Sequence, residues 1–329
     1  MKIWRVHELG EPLAAMRLED TAPPSARPGE VVLDVEACGL NFPDLLQIRG
    51  GYQVKPQLPF TPGGEIAGIV RSVGDGVDPA LVGTRTLVMG RAGLAEQTVS
   101  SAAALLPIPE SMPSAKAAAM PTNYGTNWFA LVNRAKLASG ETMLVHAGAG
   151  GVGSSAIQLG KALGATVFAT AGGPEKKAVL ERLGVDCAID YLNEDFVEIV
   201  KERTDGKGVD VIYDPVGGDT FDRSRKVIAW DGRMLIIGFT SGRIADVPTN
   251  HILLKNYSVV GVHWGASLAR DPSSARRGHD ALCDLWNRGL IDPLIMAELP
   301  IEDAAIALDR LGRRESWGKL VVCPNRSGS

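Results

Sequence analysis

Apolar and polar residues alternate along Glu30-Val31-Val32-Leu33-Asp34-Val35-Glu36-Ala37, the period of a strand with one face in a core. Ile66–Val73 and Thr84–Met89 repeat that character. Glycine- and proline-rich segments such as Val73-Gly74-Asp75-Gly76-Val77 separate them, so the chain reads as β-rich to about residue 120. From about residue 122 the pattern changes. Short apolar runs at Met143–Ala147, Thr166–Thr170, Val209–Asp214, Met234–Gly238 and Ser258–Val262 alternate with segments of helical period. Those helical segments are Val152–Leu163, Glu175–Leu183, Asp195–Arg203 and Thr220–Ile228. Strands alternating with helices predict a parallel sheet covered on both faces. Two more helices, Ser273–Arg288 and Glu302–Leu311, and a strand at Gly318–Val322 follow. The expected fold class is α/β, with a doubly wound parallel sheet inserted in a discontinuous β-rich domain. The predicted boundaries are 1–121, 122–264 and 265–329. A cleft between the two domains is where a small molecule is expected.

One junction in the second part carries chemistry. The strand Thr142-Met143-Leu144-Val145 runs through His146-Ala147 into Gly148-Ala149-Gly150-Gly151-Val152-Gly153, and a helix follows. Strand, Gly-x-Gly-x-x-Gly and helix in that order are what a dinucleotide site needs, the alternative being no more than a tight turn. Gly148 serves a tight turn, Gly150 lets backbone approach a pyrophosphate, and Gly153 lets helix and strand pack closely. Gly151 and Val152 stand at the entry to the helix, whose free N–H groups and partial positive charge favour phosphate.

The next strand narrows the cofactor. Thr166–Thr170 ends without the Asp or Glu that would bind a ribose 2′-hydroxyl and repel a 2′-phosphate. It runs instead into Ala171-Gly172-Gly173-Pro174-Glu175-Lys176-Lys177, an open turn followed by lysines. The lysines are either solvated helix residues or phosphate contacts. The turn favours contact, mostly through Lys176, and NADPH over NADH.

Composition removes other classes. With 34 Lys and Arg against 38 Asp and Glu, and no basic block, neither nucleic acid nor an anionic membrane is an expected partner. No run approaches the ~18 apolar residues of a membrane span. The N-terminal segment Met1–Glu8 has no apolar signal core. Cys38, Cys187, Cys283 and Cys323 are scattered and form no Cys-x-x-Cys pair, which suits a reducing cytoplasm. His7, His146, His251, His263 and His279 are dispersed, and His146, on a buried strand, is expected to be a satisfied core histidine.

With these residues in view, the chain resembles the medium-chain dehydrogenase/reductase superfamily, and within it the zinc-free, zeta-crystallin-like quinone oxidoreductases. The resemblance spans essentially the whole chain. It is carried by Cys38-Gly39-Leu40-Asn41-Phe42-Pro43-Asp44, Gly50-Gly51-Tyr52, Pro62-Gly63-Gly64-Glu65-Ile66-Ala67-Gly68, Ala147–Gly153 and Tyr213-Asp214-Pro215-Val216-Gly217-Gly218. It implies a GroES-like catalytic domain beside a Rossmann domain. It further implies NADPH-dependent reduction of quinones or other α,β-unsaturated carbonyl compounds, commonly in a homodimer or homotetramer. Two other readings stand beside this one: a catalytically weak NADPH-binding structural or sensor protein, and a zinc alcohol dehydrogenase.

The zinc reading fares worst on the residues. Zinc needs Cys, His or carboxylate ligands. The first ligand position registers on Asn41, the Gly-His-Glu pattern becomes Gly63-Gly64-Glu65, and the third position falls near Asn123. Cys38 lies three residues before the first of these. No metal is expected.

For a reductase without a metal, three residues are the catalytic candidates. Tyr52 is either a proton source, as in the matching segment of related enoyl reductases, or a wall of the pocket. Asn41 either orients substrate or ribose through its amide or caps the turn at Phe42-Pro43-Asp44. Thr126, by resemblance near the nicotinamide, is otherwise a helix N-terminal residue. Asp44 is expected to cap the helix Leu45–Ile48, and Glu65 to make a structural interaction. Tyr191 matches a family tyrosine at the adenosine end or is a surface aromatic. Phe239 and Ser241, in Gly238-Phe239-Thr240-Ser241-Gly242 after a strand, are expected to close over the nicotinamide ribose, though Phe239 could equally be a packing residue.

Overall fold

An antiparallel pair, β1 (Lys2–Val6) and β2 (Met16–Asp20), opens the chain, with the short helix α1 (Pro12–Ala15) between its strands. The alternating segment becomes β3 (Glu30–Gly39). Val31, Leu33 and Val35 on its inner face join Ile66, Val70 and Val88 in one core cluster. Helix α2 (Phe42–Ile48) follows, then β4 (Glu65–Val73), β5 (Arg85–Met89), β6 (Gln97–Ser101), β7 (Leu106–Pro107), α3 (Ser114–Ala118) and α4 (Pro121–Trp128). The last of these continues as a π-helical turn, Phe129–Arg134.

The alternating part follows: β8 (Thr142–Val145), α5 (Gly151–Ala162), β9 (Thr166–Ala171), α6 (Pro174–Arg182), β10 (Cys187–Asp190), α7 (Phe196–Arg203), β11 (Val209–Asp214), α8 (Gly218–Ser224), β12 (Ile228–Ile236), α9 (Thr249–Lys255) and β13 (Ser258–Gly261). Helices α10 (Trp264–Arg270) and α11 (Ser273–Asn287) come next, and β14 (Ile295–Leu299), α12 (Ala304–Gly312) and β15 (Lys319–Val322) end the chain. This is a computed structural model, and it describes residues 1–53, 55–90 and 92–325. Among them no helix is long and apolar enough to cross a membrane.

The chain divides into two units, Met1–Thr122 with the segment from Pro293 onward, and Asn123–Asp292. The first holds a seven-stranded sheet in the order β14-β15-β3-β4-β5-β7, with β6 also paired to β3. β15 lies antiparallel to β3, opposing Val321 to Gly39 and Val322 to Cys38, so the C-terminal strand completes a sheet begun near the N-terminus. The second unit holds six parallel strands in the order β10-β9-β8-β11-β12-β13, the doubly wound arrangement in which ligands sit beyond the carboxyl ends at the reversal between β8 and β11. The α/β expectation is therefore met.

Three expectations need correction. Residues 265–292, assigned to the returning β-rich domain, belong to the parallel-sheet unit. There Trp264 of α10 lies against Gly125, and Gly278 of α11 faces Trp128. The predicted helix Thr220–Ile228 stops at Ser224, and Ile228 already opens β12. That strand carries a bulge at Trp230-Asp231-Gly232, where Asp231 has φ 58° and the register against β11 jumps from Ile228 to Arg233. The left-handed residue of the glycine turn is Ala147, with φ 51°, rather than Gly148.

Gly148 is instead required by close approach. A Cβ there would lie 2.8 Å from Leu180 and 3.0 Å from Ala169. At Gly153 a Cβ would lie 2.2 Å from the Ala147 carbonyl oxygen. Backbone cannot yield as a flexible side chain can, so Gly153→Ala should destabilise the fold by about 1–3 kcal/mol, measured by urea unfolding. Gly150→Ala should cost less, because its nearest neighbour is 3.3 Å away. Equal stability of the Gly153 variant and the parent would show that the helix does not need this approach.

Candidate functional site

In the parallel-sheet unit, the first turn of α5 projects from the end of β8. Gly150 is its N-cap, with no side-chain hydrogen bond to the helix. The leading N–H groups of Gly151, Val152 and Gly153 therefore have no cap from that side chain, and a Cβ at Gly150 would meet the Ala147 carbonyl oxygen at 3.3 Å. Asn127 on α4 braces this turn, donating through Nδ2 to the Val152 carbonyl (2.8 Å) and to Ser155 Oγ (2.7 Å). Beneath the turn lies His146. Ser224 Oγ donates to the Thr220 carbonyl, so it accepts from His146 Nε2–H at 2.8 Å, which leaves Nδ1 to accept from Thr170 Oγ1 at 3.0 Å. Burial, with Arg223 adding to it, lowers the imidazole to about 3, so this is a neutral core histidine, as expected.

Beyond β9, Gly172 and Tyr191 come together. A Cβ on Gly172 would lie 2.6 Å from the Tyr191 hydroxyl, and the Tyr191 ring is about half exposed. Gly173 starts α6 at φ 85°, and its N–H donates to Asp190 Oδ1 at 2.7 Å. That amide, with the Asn193 side chain, holds the Asp190 carboxyl below its usual range. Lys177 is paired with Glu194 at 2.9 Å, whereas Lys176 stands in the first turn of α6.

Beyond β11, buried Asp214 accepts from the N–H groups of Val216 (2.8 Å) and Gly217 (2.9 Å). Burial raises its carboxyl, and those two donors oppose the shift. The turn they form meets the segment after β12, where Thr240 N–H donates to the Pro215 carbonyl and Ser241 N–H to the Val216 carbonyl. Phe239 is exposed beside Gly217. Thr126 lies in the second half of α4, not at a helix N-terminus.

The β-rich unit holds a polar cluster. Asn41, not Asp44, is the N-cap of α2, which starts at Phe42 rather than Leu45; Asp44 is its third residue, and its carboxylate reaches back to accept the Asn41 N–H at 2.8 Å and also takes the Gly63 N–H at 3.3 Å. Fully buried Glu65 accepts from Asn41 Nδ2 at 2.6 Å and from the Thr122 N–H. Lys319, at the start of β15, reaches both, with its Nζ 2.5 Å from Glu65 Oε2 and 2.8 Å from Asn41 Oδ1. Tyr52 lies half buried in the loop after α2. Cys38 packs between Gly63 and Gly93, and burial pushes its thiol well up.

The two halves match known proteins in the same order. Residues 27–110 match the alcohol dehydrogenase GroES-like domain, and residues 151–276 match a model described as zinc-binding dehydrogenase. The quinone oxidoreductase-like protein 2 homolog of Nematostella vectensis is 39% identical over 320 residues, covering 96% of this chain and 87% of that protein. The chain belongs to the zinc-free quinone oxidoreductase group of the medium-chain dehydrogenase/reductase superfamily. Escherichia coli quinone oxidoreductase in complex with NADPH matches with a TM-score of 0.88 at 29% identity, over 98% of this chain and 100% of that one. The quinone oxidoreductase of Thermus thermophilus, solved alone and with NADPH, matches with a TM-score of 0.84 at 33% identity over the same shares.

A catalytic zinc does not fit the donor set of this family member. Gly64 has no side chain, and the Asn41 oxygen is already taken by the Lys319 ammonium. Among the described residues no three His, Cys, Asp or Glu side chains gather into a metal-holding group. A dinucleotide does fit, with no side-chain cap on the leading N–H groups of α5 and a bare Gly172 under a tyrosine.

Sequence reasoning missed Lys319 and Asn127, and quoted Asp214 only within a motif, without a role of its own. The available signal for Lys319 was a lysine at the head of an otherwise apolar strand, Lys319-Leu320-Val321-Val322, in which every residue is buried.

Burial pushes the Asp44 carboxyl up from 3.8 to about 6, with Glu65 adding to the shift and the Asn41 amide, Lys319 and the Gly63 amide opposing it. Between those values the native state holds the proton that the unfolded chain has lost. This group's contribution to stability therefore falls as pH rises from about 4 to about 6, by about 3 kcal/mol, and is flat above. Asp44→Asn should flatten that part of the stability–pH curve relative to the parent, as read by denaturant titration at a series of pH values. Parallel curves for the two proteins would mean that Asp44 is ionised throughout.

Proposed function

We propose that this chain binds NADPH and reduces a quinone or another α,β-unsaturated carbonyl compound without a metal ion. The observation that carries the reading is the Asn41 amide, fixed between Lys319 and Glu65, standing where a zinc dehydrogenase needs a ligand. When bound, NADPH supplies a hydride, and negative charge builds on the acceptor's carbonyl oxygen as it arrives. In this reading the N–H groups of Gly151, Val152 and Gly153 hold the pyrophosphate beside Gly150. Gly172, Lys176 and Tyr191 hold the adenosine end with its 2′-phosphate. Thr126, Phe239 and Ser241 hold the nicotinamide end.

Asn41 offers an N–H to the acceptor oxygen. The Tyr52 phenol can donate a proton while staying neutral at physiological pH. A quinone needs less of this help, since its hydroquinone can take protons from water. A homodimer or homotetramer acting in the cytoplasm belongs to the same proposal, on the strength of the family resemblance.

NADPH oxidation should be followed with a benzoquinone, an enone and an enoyl-CoA, and repeated with NADH. Turnover of at least one acceptor, faster with NADPH, is expected. Binding of NADPH with no turnover of any acceptor would leave a structural or sensing protein instead.

Lys176→Ala should weaken NADPH binding by roughly ten- to a hundredfold, the worth of a charge-assisted hydrogen bond, and leave NADH nearly unchanged. Dissociation constants from nucleotide fluorescence read this directly. An equal loss for both nucleotides would move the 2′-phosphate away from Lys176.

A further inference from the structure

The Asn41–Glu65–Lys319 cluster contains more than an ion pair. An amide has two edges of similar shape and opposite polarity, and which edge faces which neighbour decides what the group offers a ligand. Here two charges of opposite sign read the amide at once. The Lys319 ammonium lies 2.8 Å from Oδ1, and the Glu65 carboxylate lies 2.6 Å from Nδ2. Turning the amide over would place its oxygen against the carboxylate and its NH₂ against the ammonium, two repulsive contacts in a buried setting. The charges are themselves fixed, because Lys319 and Glu65 are 2.5 Å apart and Glu65 also takes the Thr122 N–H. With the oxygen engaged, the second Nδ2 hydrogen has only a long 3.5 Å contact, to the Gly39 carbonyl.

We propose that Lys319 is a positioning residue: paired with Glu65, it turns the Asn41 amide so that Asn41 offers an acceptor carbonyl an N–H and never an oxygen. The inference rests on the quinone or enone reading above and adds a specificity to it. A substrate that presents a hydrogen-bond acceptor at the reacting end is favoured, and one that presents only a donor is not. Lys319 acts through Asn41 and does not itself touch the substrate.

The test compares Asn41→Ala, the charge-neutral pair Lys319→Met with Glu65→Gln, and all three changes together, in the full chain with NADPH and a benzoquinone or an enone. The paired substitution leaves no unpartnered buried charge, so the fold should survive where Lys319→Met alone would strain it. Asn41→Ala and the paired variant should each lower kcat by roughly ten- to a hundredfold, with the NADPH dissociation constant unchanged. Combining them should add less than about twofold, because both remove the same aimed N–H.

A folded paired variant with parental kcat, or losses that multiply, would overturn the proposal. A parent inactive with every acceptor would instead overturn the proposed function. One readout needs no turnover, and of the variants only Asn41→Ala has to fold for it. The Asn41 side-chain NH₂ in the parent, identified by its loss in Asn41→Ala, should give two widely separated proton signals protected from exchange. A solvent-like, rapidly exchanging pair would show that the amide is not held, and would sink the proposal whatever the kinetics.

Discussion

The ion pair between Lys319 and Glu65 is the constraint on which the β-rich unit depends. Its side chains are 5% and 0% exposed, so both charges have given up their water. Removing one partner of such a pair strands the other, at a cost of about 3–5 kcal/mol. The pair is also long-range: Glu65 begins β4, and Lys319 begins β15 after the whole parallel-sheet unit has intervened. The C-terminal strand is thus held in the sheet by β-pairing to β14 and β3 and, at its first residue, by charge. A discontinuous unit needs such a register lock, because a slip of one residue would turn Lys319 from the carboxylate to the opposite face.

The parallel-sheet unit solves its local problem by the opposite means. Where the first unit inserts a charge, the second removes side chains. Gly148 leaves room for the Leu180, Ala169 and Ile157 side chains, Gly153 lets α5 sit against the backbone of the turn, and no other residue fits at Gly153 without moving the Ala147 carbonyl. Below them the neutral His146 ties β8 to Thr170 of β9 and Ser224 of α8. An imidazole lowered to about 3 carries no charge near neutral pH, so this strut adds no positive field under a phosphate site. In that reading the attraction for phosphate comes from the helix N-terminus and from lysines further out.

Much of this was legible in the sequence, and the failures share a cause. β11 runs Val209–Asp214 and α7 runs Phe196–Arg203, within one residue of where the periodicity puts them. Periodicity could not separate α8 from β12, because no Gly or Pro stands between Ser224 and the apolar run Val227-Ile228-Ala229-Trp230, and the bulge at Asp231 hides the strand's alternation. Nor could it say which sheet α10 and α11 cover, since an amphipathic face names no partner. The turn at Gly148–Gly153 was correctly located but partly misexplained: spacing showed where the glycines are, and only packing showed that Gly148 serves contact and Ala147 the left-handed turn. Asn41 was found because its motif is local. Lys319, which fixes it, lies 278 residues away, a separation that no window-based reading spans.

The cluster also bears on the direction of the chemistry. Oxidising an alcohol calls for net positive charge to stabilise an alkoxide, which a Lewis-acid metal supplies. The Lys319 charge is not available for that, because Glu65 neutralises it at 2.5 Å. Asn41 therefore presents a dipole fixed by two compensating charges. A fixed N–H dipole suits an acceptor that is already polarised and whose charge spreads over a conjugated system, where orientation in a low-dielectric setting counts for more than net charge. A conjugated carbonyl meets that description and a simple alcohol does not. On the proposed reading, the same buried pair that holds the C-terminal strand in register also biases this site toward reduction.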